Sequence, residues 1–302
     1  MIPNRIICLI LTAELLVCRL REKPLKRDGM KINRIFYEGQ DFFRQIYLNR
    51  RLIFELTKRE FRTNYAENIF GLLWALIEPL AMMTILWFVF SYLQRGGSPQ
   101  EGVPYSIFLL SGILAYDFFN KGINKGSRSI RSYGFLVKTV NFRIAIIPII
   151  VISAEMMIHL IVLSLLIFIL VLNGIYPSWY WFQVFYFLIA QYLLLIGFSW
   201  LTASIQPFFP DISYIITISM RVLFFMTPIF WDLKSVPEAY VKYFSLNPLG
   251  YIVNGYRDSV LYHVPFWQHG FQTIYFWGFT LVVYIFGIVV FKRLRPHFAD
   301  VI

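Results

Sequence analysis

The stretch Ile144–Leu172, IAIIPIIVISAEMMIHLIVLSLLIFILVL, carries only two ionisable side chains, Glu155 and His159, in 29 residues. As a helix rising about 1.5 Å per residue it is longer than the roughly 30 Å hydrocarbon core of a bilayer. Working outward, five further stretches read as spans of the same kind: 69–93, 103–119, 179–205, 212–231 and 271–291. The six runs show no two-residue alternation, so helices rather than a barrel satisfy their backbone groups. They take up nearly half of the 302 residues and leave little chain for a soluble catalytic domain. Composition agrees, at 58% hydrophobic, 19% aromatic and 15% charged, where soluble chains carry about a quarter charged residues.

The charge balance fixes an expected orientation. The chain carries 28 Lys and Arg against 17 Asp and Glu, a formal net charge of +11. With the N-terminus inside, 23 of the 28 cations fall in 1–68, 120–143 and 292–302, against four in the outer segments, and Arg221 lies inside a span. Lys and Arg are retained on the cytoplasmic side, so both termini are expected there, in the plasma membrane. This asymmetry accounts for the basic charge without nucleic acid.

The ends and loops divide the chain further. Residues 1–29 read as an N-terminal extension, with an apolar run at 6–18 too short to span and Met30 as an alternative start. Over 30–68, apolar pairs such as Ile53/Phe54 alternate with Arg44, Arg50, Arg51, Lys58, Arg59 and Arg62, the pattern of a cytoplasmic amphipathic helix lying in the membrane interface. Segment 120–143 holds Lys121, Lys125, Arg128, Arg131, Lys138 and Arg143 and no acid. Its Gly122, Gly126 and Gly134 predict an elbow broken into short helical pieces. The outer segment 232–270 carries a capping-box pattern at Ser235 and Glu238, a break at Asn247-Pro248 and a second half-apolar stretch, LGYIVNGYRDSVLY, after it. It reads as an outer re-entrant helical hairpin. The expected fold is thus an all-α membrane protein with six spans in 69–302.

Catalytic signatures are missing from the sequence. There is no G-x-x-x-x-G-K-[ST], no G-x-S-x-G and no paired aspartates, and His159, His263, His269 and His297 form no H-E-x-x-H. The two cysteines, Cys8 and Cys18, supply neither a disulfide framework nor a zinc site, and no metal site is expected. Such a chain moves something rather than making it. A secondary transporter would show an internal repeat, which is absent, and an intramembrane glycan ligase would need paired catalytic groups in the outer segment, where Asp232, Glu238, Arg257 and Asp258 are the only material.

Several motifs in order carry a family resemblance. Gly71-Leu-Leu-Trp74-Ala-Leu-Ile-Glu78-Pro79 enters the first span, a basic elbow follows the second, Pro228-Ile-Phe-Trp231 ends the fifth, and Asn247-Pro248 and Tyr256-Arg257 lie in the hairpin. From about Ile35 onward the chain resembles the membrane permeases of ABC transporters that export lipid-linked polysaccharides. Gly174-Ile-Tyr-Pro-Ser178, Asn120-Lys-Gly-Ile123 and Phe298-Ala-Asp300 look most like the wall teichoic acid export permease; O-antigen and capsule permeases share the same plan. The resemblance implies a homodimer bound to two copies of a separate ATP-binding subunit, with ATP and Mg held by that partner and no cofactor in this chain. It implies passage of a polymer on an undecaprenyl diphosphate lipid from the cytoplasm to the outer face. It places Arg50, Arg51, Lys58, Arg128 and Arg131 at the ATPase contact. On the substrate path it places Phe70, Trp74, Glu78, Arg221, Phe224, Phe225, Trp231, Asn247 and Arg257. Glu78 and Arg221 lie at matching depths in the first and fifth spans and are expected to pair, within or between subunits, as are Glu155 and His159 at i, i+4 in the third.

Overall fold

The computed structural model describes residues 44, 47–66, 70–89, 103–138, 142–233 and 236–302; of some helical residues, Glu78 and Glu238 among them, only the backbone is described. The chain divides into Met1–Leu48 and Asn49–Ile302, and the architecture below is that of the second unit. The expected extension 1–29, the start of the interfacial segment and the Ser235/Glu238 capping box lie outside the described residues.

Every regular element described is helical. In chain order they are α1 (Arg50–Ala66), α2 (Trp74–Phe88), α3 (Tyr105–Ser132), α4 (Gly134–Val137), α5 (Ile147–Leu172), α6 (Gln183–Ile205), α7 (Ile212–Met226), α8 (Glu238–Ser245), α9 (Pro248–Arg257), α10 (Gly270–Leu294) and α11 (Phe298–Val301). Among the described residues, three helical stretches are long and apolar enough to cross a membrane: Ile144–Leu172, Trp179–Ile205 and Phe266–His297. The other three expected spans map onto α2, α3 and α7. Of these, α7 stops at Met226 rather than reaching 231, because Thr227 before Pro228 adopts an extended conformation (φ −89°, ψ 141°) and proline offers no N–H to continue the ladder.

Glycines set the packing of the bundle. A Cβ on Gly287 of α10 would lie 2.6 Å from the carbonyl oxygen of Gly197 in α6. That neighbour is backbone and cannot move aside, so glycine permits this close helix approach. In α3, a Cβ on Gly122 would meet Leu195 at 2.9 Å and one on Gly126 would meet Ser199 at 2.2 Å, both side chains of α6. These two glycines therefore do not break an elbow as expected. They lie four apart on the packed face of one continuous 28-residue helix, which ends only at Tyr133.

The amphipathic reading of α1 is visible in its exposure pattern. Ile53, Leu56, Thr57, Glu60 and Phe61 turn toward the protein, with Thr57 buried, while Leu52, Phe54, Lys58 and Arg59 are exposed. In segment 232–270, Asn247 caps α9 by accepting a 3.0 Å hydrogen bond from the Leu249 amide, with Pro248 in the first turn. Leu249, Ile252, Val253 and Tyr256 of α9 are buried. A π-helical turn, Asp258–Tyr262, follows and ends at His263 with φ 56°.

Candidate functional site: a cavity and a carbonyl clasp

The first half of α3 is apolar and its second half is striped. Asp117, Asn120, Lys121, Asn124 and Arg128 recur at three- and four-residue spacing, so they share one face. Its Asp117, Asn120 and Lys121 line an open cavity of about 930 Å³ between four helices. Trp74, Ile77, Met82 and Ile85 come from α2, and Leu110, Leu114, Asp117, Asn120 and Lys121 from α3. Glu155, Ile158 and His159 come from α5, and Arg221, Phe224 and Phe225 from α7. Four residues expected on the path (Trp74, Arg221, Phe224, Phe225) thus line a single volume.

Its polar groups are mostly paired. Lys121 Nζ lies 3.0 Å from Asp117 Oδ2, one turn apart on α3. Lys125 Nζ donates to Glu155 Oε1 at 2.5 Å, from a partly exposed lysine to a carboxylate only 2% exposed. His159 Nε2 and Tyr256 Oη are 2.9 Å apart, and the imidazole stacks on Phe118 at 4.7 Å. The expected Glu155–His159 bond is therefore corrected: each group finds its partner on another helix. A buried carboxylate is better compensated by a cation than by a neutral imidazole. Arg221 is exposed on the cavity wall and makes no hydrogen bond or ion pair among the described residues. The side chain of Glu78, one turn beyond Trp74, lies outside the described residues, so its pairing with Arg221 stays an expectation.

A polar seam joins α3 to α7. Tyr116 Oη donates to the Met220 carbonyl, and Thr217 Oγ1 donates to Asn124 Oδ1 at 2.8 Å. The Tyr116 ring also meets Phe224 at 5.0 Å.

Beyond α7 the chain leaves helical geometry, and its carbonyls must be satisfied elsewhere. Arg257 does most of this. Its Nη1 donates to Pro228 O, its Nη2 to Ile229 O at 2.7 Å and its Nε to Phe108 O at 3.2 Å, with the guanidinium 3.5 Å from the Phe108 ring centroid. Tyr105 Oη takes the next carbonyl, Phe230 O, at 2.8 Å, and Asn247 Nδ2 donates to Thr227 Oγ1 at 3.0 Å. Gly112 leaves the room, since a Cβ there would stand 2.5 Å from Arg257 Nη2. Pro228–Trp231, Asn247-Pro248 and Tyr256-Arg257, separate motifs in the sequence, are thus parts of one clasp.

The clasp changes the picture of several outer residues. Arg257, expected on the substrate path, is 1% exposed and turned inward onto carbonyls. Asp258, next to it in sequence, meets His269 at 3.0 Å. Asn247 serves as cap and donor within the clasp. Trp231 packs edge-on against Phe244 at 4.9 Å, and its Nε1 donates to Phe225 O at 3.2 Å. Phe70 is exposed and meets Trp74 edge-on at 5.8 Å. Sequence reasoning did not assign Asp117, Asn120, Tyr105 or Tyr116 to a site. The polar stripe on α3 was the available signal for the first two, whereas the tyrosines carry none.

Arg50, Arg51 and Lys58 of α1 and Arg128 and Arg131 near the end of α3 are all exposed. Tyr133, just past α3, donates to Glu60 of α1 and so joins the two basic surfaces. Burial first, and then the hydrogen bond and charge of Glu60, raise the Tyr133 pKa, which keeps the hydroxyl protonated as the donor. Among the described residues no group of three or more His, Cys, Asp or Glu is placed to hold a metal ion.

Similarity to known proteins agrees with this layout. The chain is 24% identical over 253 residues to the O-antigen export system permease protein RfbA of Klebsiella pneumoniae, covering 83% of this chain and 95% of that protein. It is 29% identical over 244 residues to the polysialic acid transport protein KpsM of Escherichia coli, covering 78% and 90%. An O-antigen export system permease protein RfbA of Myxococcus xanthus is 22% identical over 222 residues. Residues 51–261, from α1 through the clasp, match the ABC-2 type transporter family over well above half of the chain, and the chain belongs to that family.

Proposed function

We propose that this chain is the transmembrane subunit of an ATP-driven exporter that carries a lipid-linked polysaccharide from the cytoplasm to the outer face. The observation that carries this reading is similarity over most of the chain to relatives named as O-antigen export and polysialic acid transport proteins. The absence of a P-loop supports a division of labour in which a separate subunit binds ATP and Mg. The working assembly is a homodimer with two such subunits, six spans per protomer, cytoplasmic termini and an outer re-entrant hairpin built from α8 and α9. Arg50, Arg51, Lys58, Arg128 and Arg131 face the ATP-binding subunit, since all five are exposed on surfaces that Glu60 and Tyr133 link. Trp74, Arg221, Phe224 and Phe225 line the substrate path, with Phe70, Glu78 and Trp231 beside it. Asn247 and Arg257 shape the path indirectly, through the clasp.

For the cargo, the relatives' names favour an O-antigen or polysialic-acid-like glycan, and the undecaprenyl diphosphate carrier is what the resemblance implies. Wall teichoic acid is the second reading, favoured by Gly174–Ser178, Asn120–Ile123 and Phe298–Asp300. Reconstitution with the ATP-binding subunit, followed by ATP hydrolysis measured with each lipid-linked glycan in turn, separates the readings. Stimulation by one of them is expected. Purification with no stoichiometric ATPase, and no stimulation by any lipid-linked glycan, would overturn the proposal.

A further inference from the structure

The basic elbow after α3 is too short to hold itself in place. Its helix α4 has four residues, Gly134–Val137, far below the length at which an isolated helix is stable in water, so its position is set by what packs around it. Three segments remote in sequence converge there. On one side, Tyr133 donates to Glu60 of α1. On another, the turn between α6 and α7 brings Pro207 and Pro210 to a cleft of about 580 Å³ that Arg131 and Lys138 also line. Ile302 forms a third wall of the same cleft, and a Cβ on Gly134 would lie 2.6 Å from its Cγ2. Glycine at the start of α4 thus makes room for the isoleucine.

Residues 298–302 have an anchor of their own. Phe298 is fully buried, with its ring 6.1 Å from Phe208 of the α6–α7 turn and 5.8 Å from Phe291 of α10. The Ile302 amide donates to Phe298 O at 3.1 Å, so the two side chains, four residues apart, share one helical face. Phe298 turns into the bundle and Ile302 against the elbow, while Val301 is exposed. A segment buried at one end and seated on a glycine at the other carries the position of α10 to the elbow.

We infer that 298–302 is a positioning brace, which holds α4, and Arg131 and Lys138 on either side of it, in the arrangement that receives the ATP-binding subunit. The inference rests on the docking reading above and adds to it two apolar residues, Phe298 and Ile302, that act through the elbow rather than at the contact. A surface already held in its bound arrangement binds more tightly than one that must be ordered on binding.

The test titrates the ATP-binding subunit onto the full-length protein in nanodiscs and records Tm alongside. Phe298→Ala is expected to weaken binding roughly tenfold, the effect of an elbow correctly placed about a tenth of the time. Gly134→Leu expels Ile302 without opening the core, so it is expected to weaken binding by a similar factor with little change in Tm, and it serves if Phe298→Ala fails to fold. A covalent link separates positioning from packing. Gly134→Cys with Ile302→Cys, in a Cys8→Ser and Cys18→Ser background, is expected to form a disulfide on oxidation. With Phe298→Ala added, binding should be weak when reduced and near wild type when oxidised. Wild-type affinity in both Phe298→Ala and Gly134→Leu would overturn the inference, as would a disulfide that does not form or does not restore binding. If Arg128→Glu with Arg131→Glu weakens binding while the Phe298 and Gly134 variants bind as wild type, the docking reading stands and the brace alone fails. If that charge reversal leaves binding unchanged, the docking reading fails and the brace with it.

Discussion

The two ends of α7 differ in how they treat polar groups. At its C-terminal end the chain leaves the helix at Thr227, and the carbonyls of Pro228, Ile229 and Phe230 are each taken by a side chain, from Arg257 or Tyr105. One and a half turns back, Arg221 faces an open volume with no partner described. Two arginines in one neighbourhood therefore do opposite things: one holds the fold and the other is available. Burial separates them, because a buried guanidinium must be matched by the protein itself, whereas one facing a cavity can be matched by what enters.

The largest expected effect comes from breaking the clasp. Arg257→Ala leaves at least two buried carbonyls without donors and opens a void beside Phe108. It should cost about 3 kcal/mol or more, read as a large drop in Tm in detergent or as loss of expression. Next is the bundle itself. Gly287→Ala places a methyl against the Gly197 carbonyl and should force α10 away from α6 at about 1–3 kcal/mol, measurable by thermal unfolding of the purified protein. Comparable in size is Lys125→Ala, which strands the buried Glu155 carboxylate; about 2–3 kcal/mol is expected, and combining it with Glu155→Gln should recover most of the loss. Removing the cap in Asn247→Ala should cost about 1 kcal/mol and lower Tm modestly. Smallest in stability is Arg128→Glu with Arg131→Glu. Both side chains are exposed, so Tm should hardly change while co-purification of the ATP-binding subunit falls; unchanged co-purification would remove these residues from the docking surface.

Much of the fold was legible because hydropathy is a local property. Ile144–Leu172 announces a span from its residues alone, and the alternation around Arg50–Ala66 announces an amphipathic helix. Glycines misled because their meaning is not local. Gly122 and Gly126 read as breaks, yet they are contact points whose reason lies in Leu195 and Ser199, about seventy residues away. Partner choice failed in the same way: Glu155 and His159 were neighbours by helical spacing, but the stronger partners, Lys125 and Tyr256, come from other helices. The cavity was half legible. The family resemblance put Phe224 and Phe225 on the path with Arg221, while the α3 stripe gains its role only when α5 and α7 close around it. The clasp motifs could be seen one by one, but their union through Arg257 depends on a turn that brings α9 back against the start of α3.

Most direct for the central claim is a paired comparison of Arg257→Ala and Arg221→Gln in the reconstituted complex. Each variant is scored for Tm and for ATP hydrolysis stimulated by the lipid-linked glycan that activates wild type. The expected result is a crossed one: Arg257→Ala lowers Tm strongly, whereas Arg221→Gln holds Tm near wild type and loses most of the stimulation. Full stimulation in Arg221→Gln, or a wild-type Tm in Arg257→Ala, would contradict the division between an arginine that holds the fold and one that meets the cargo.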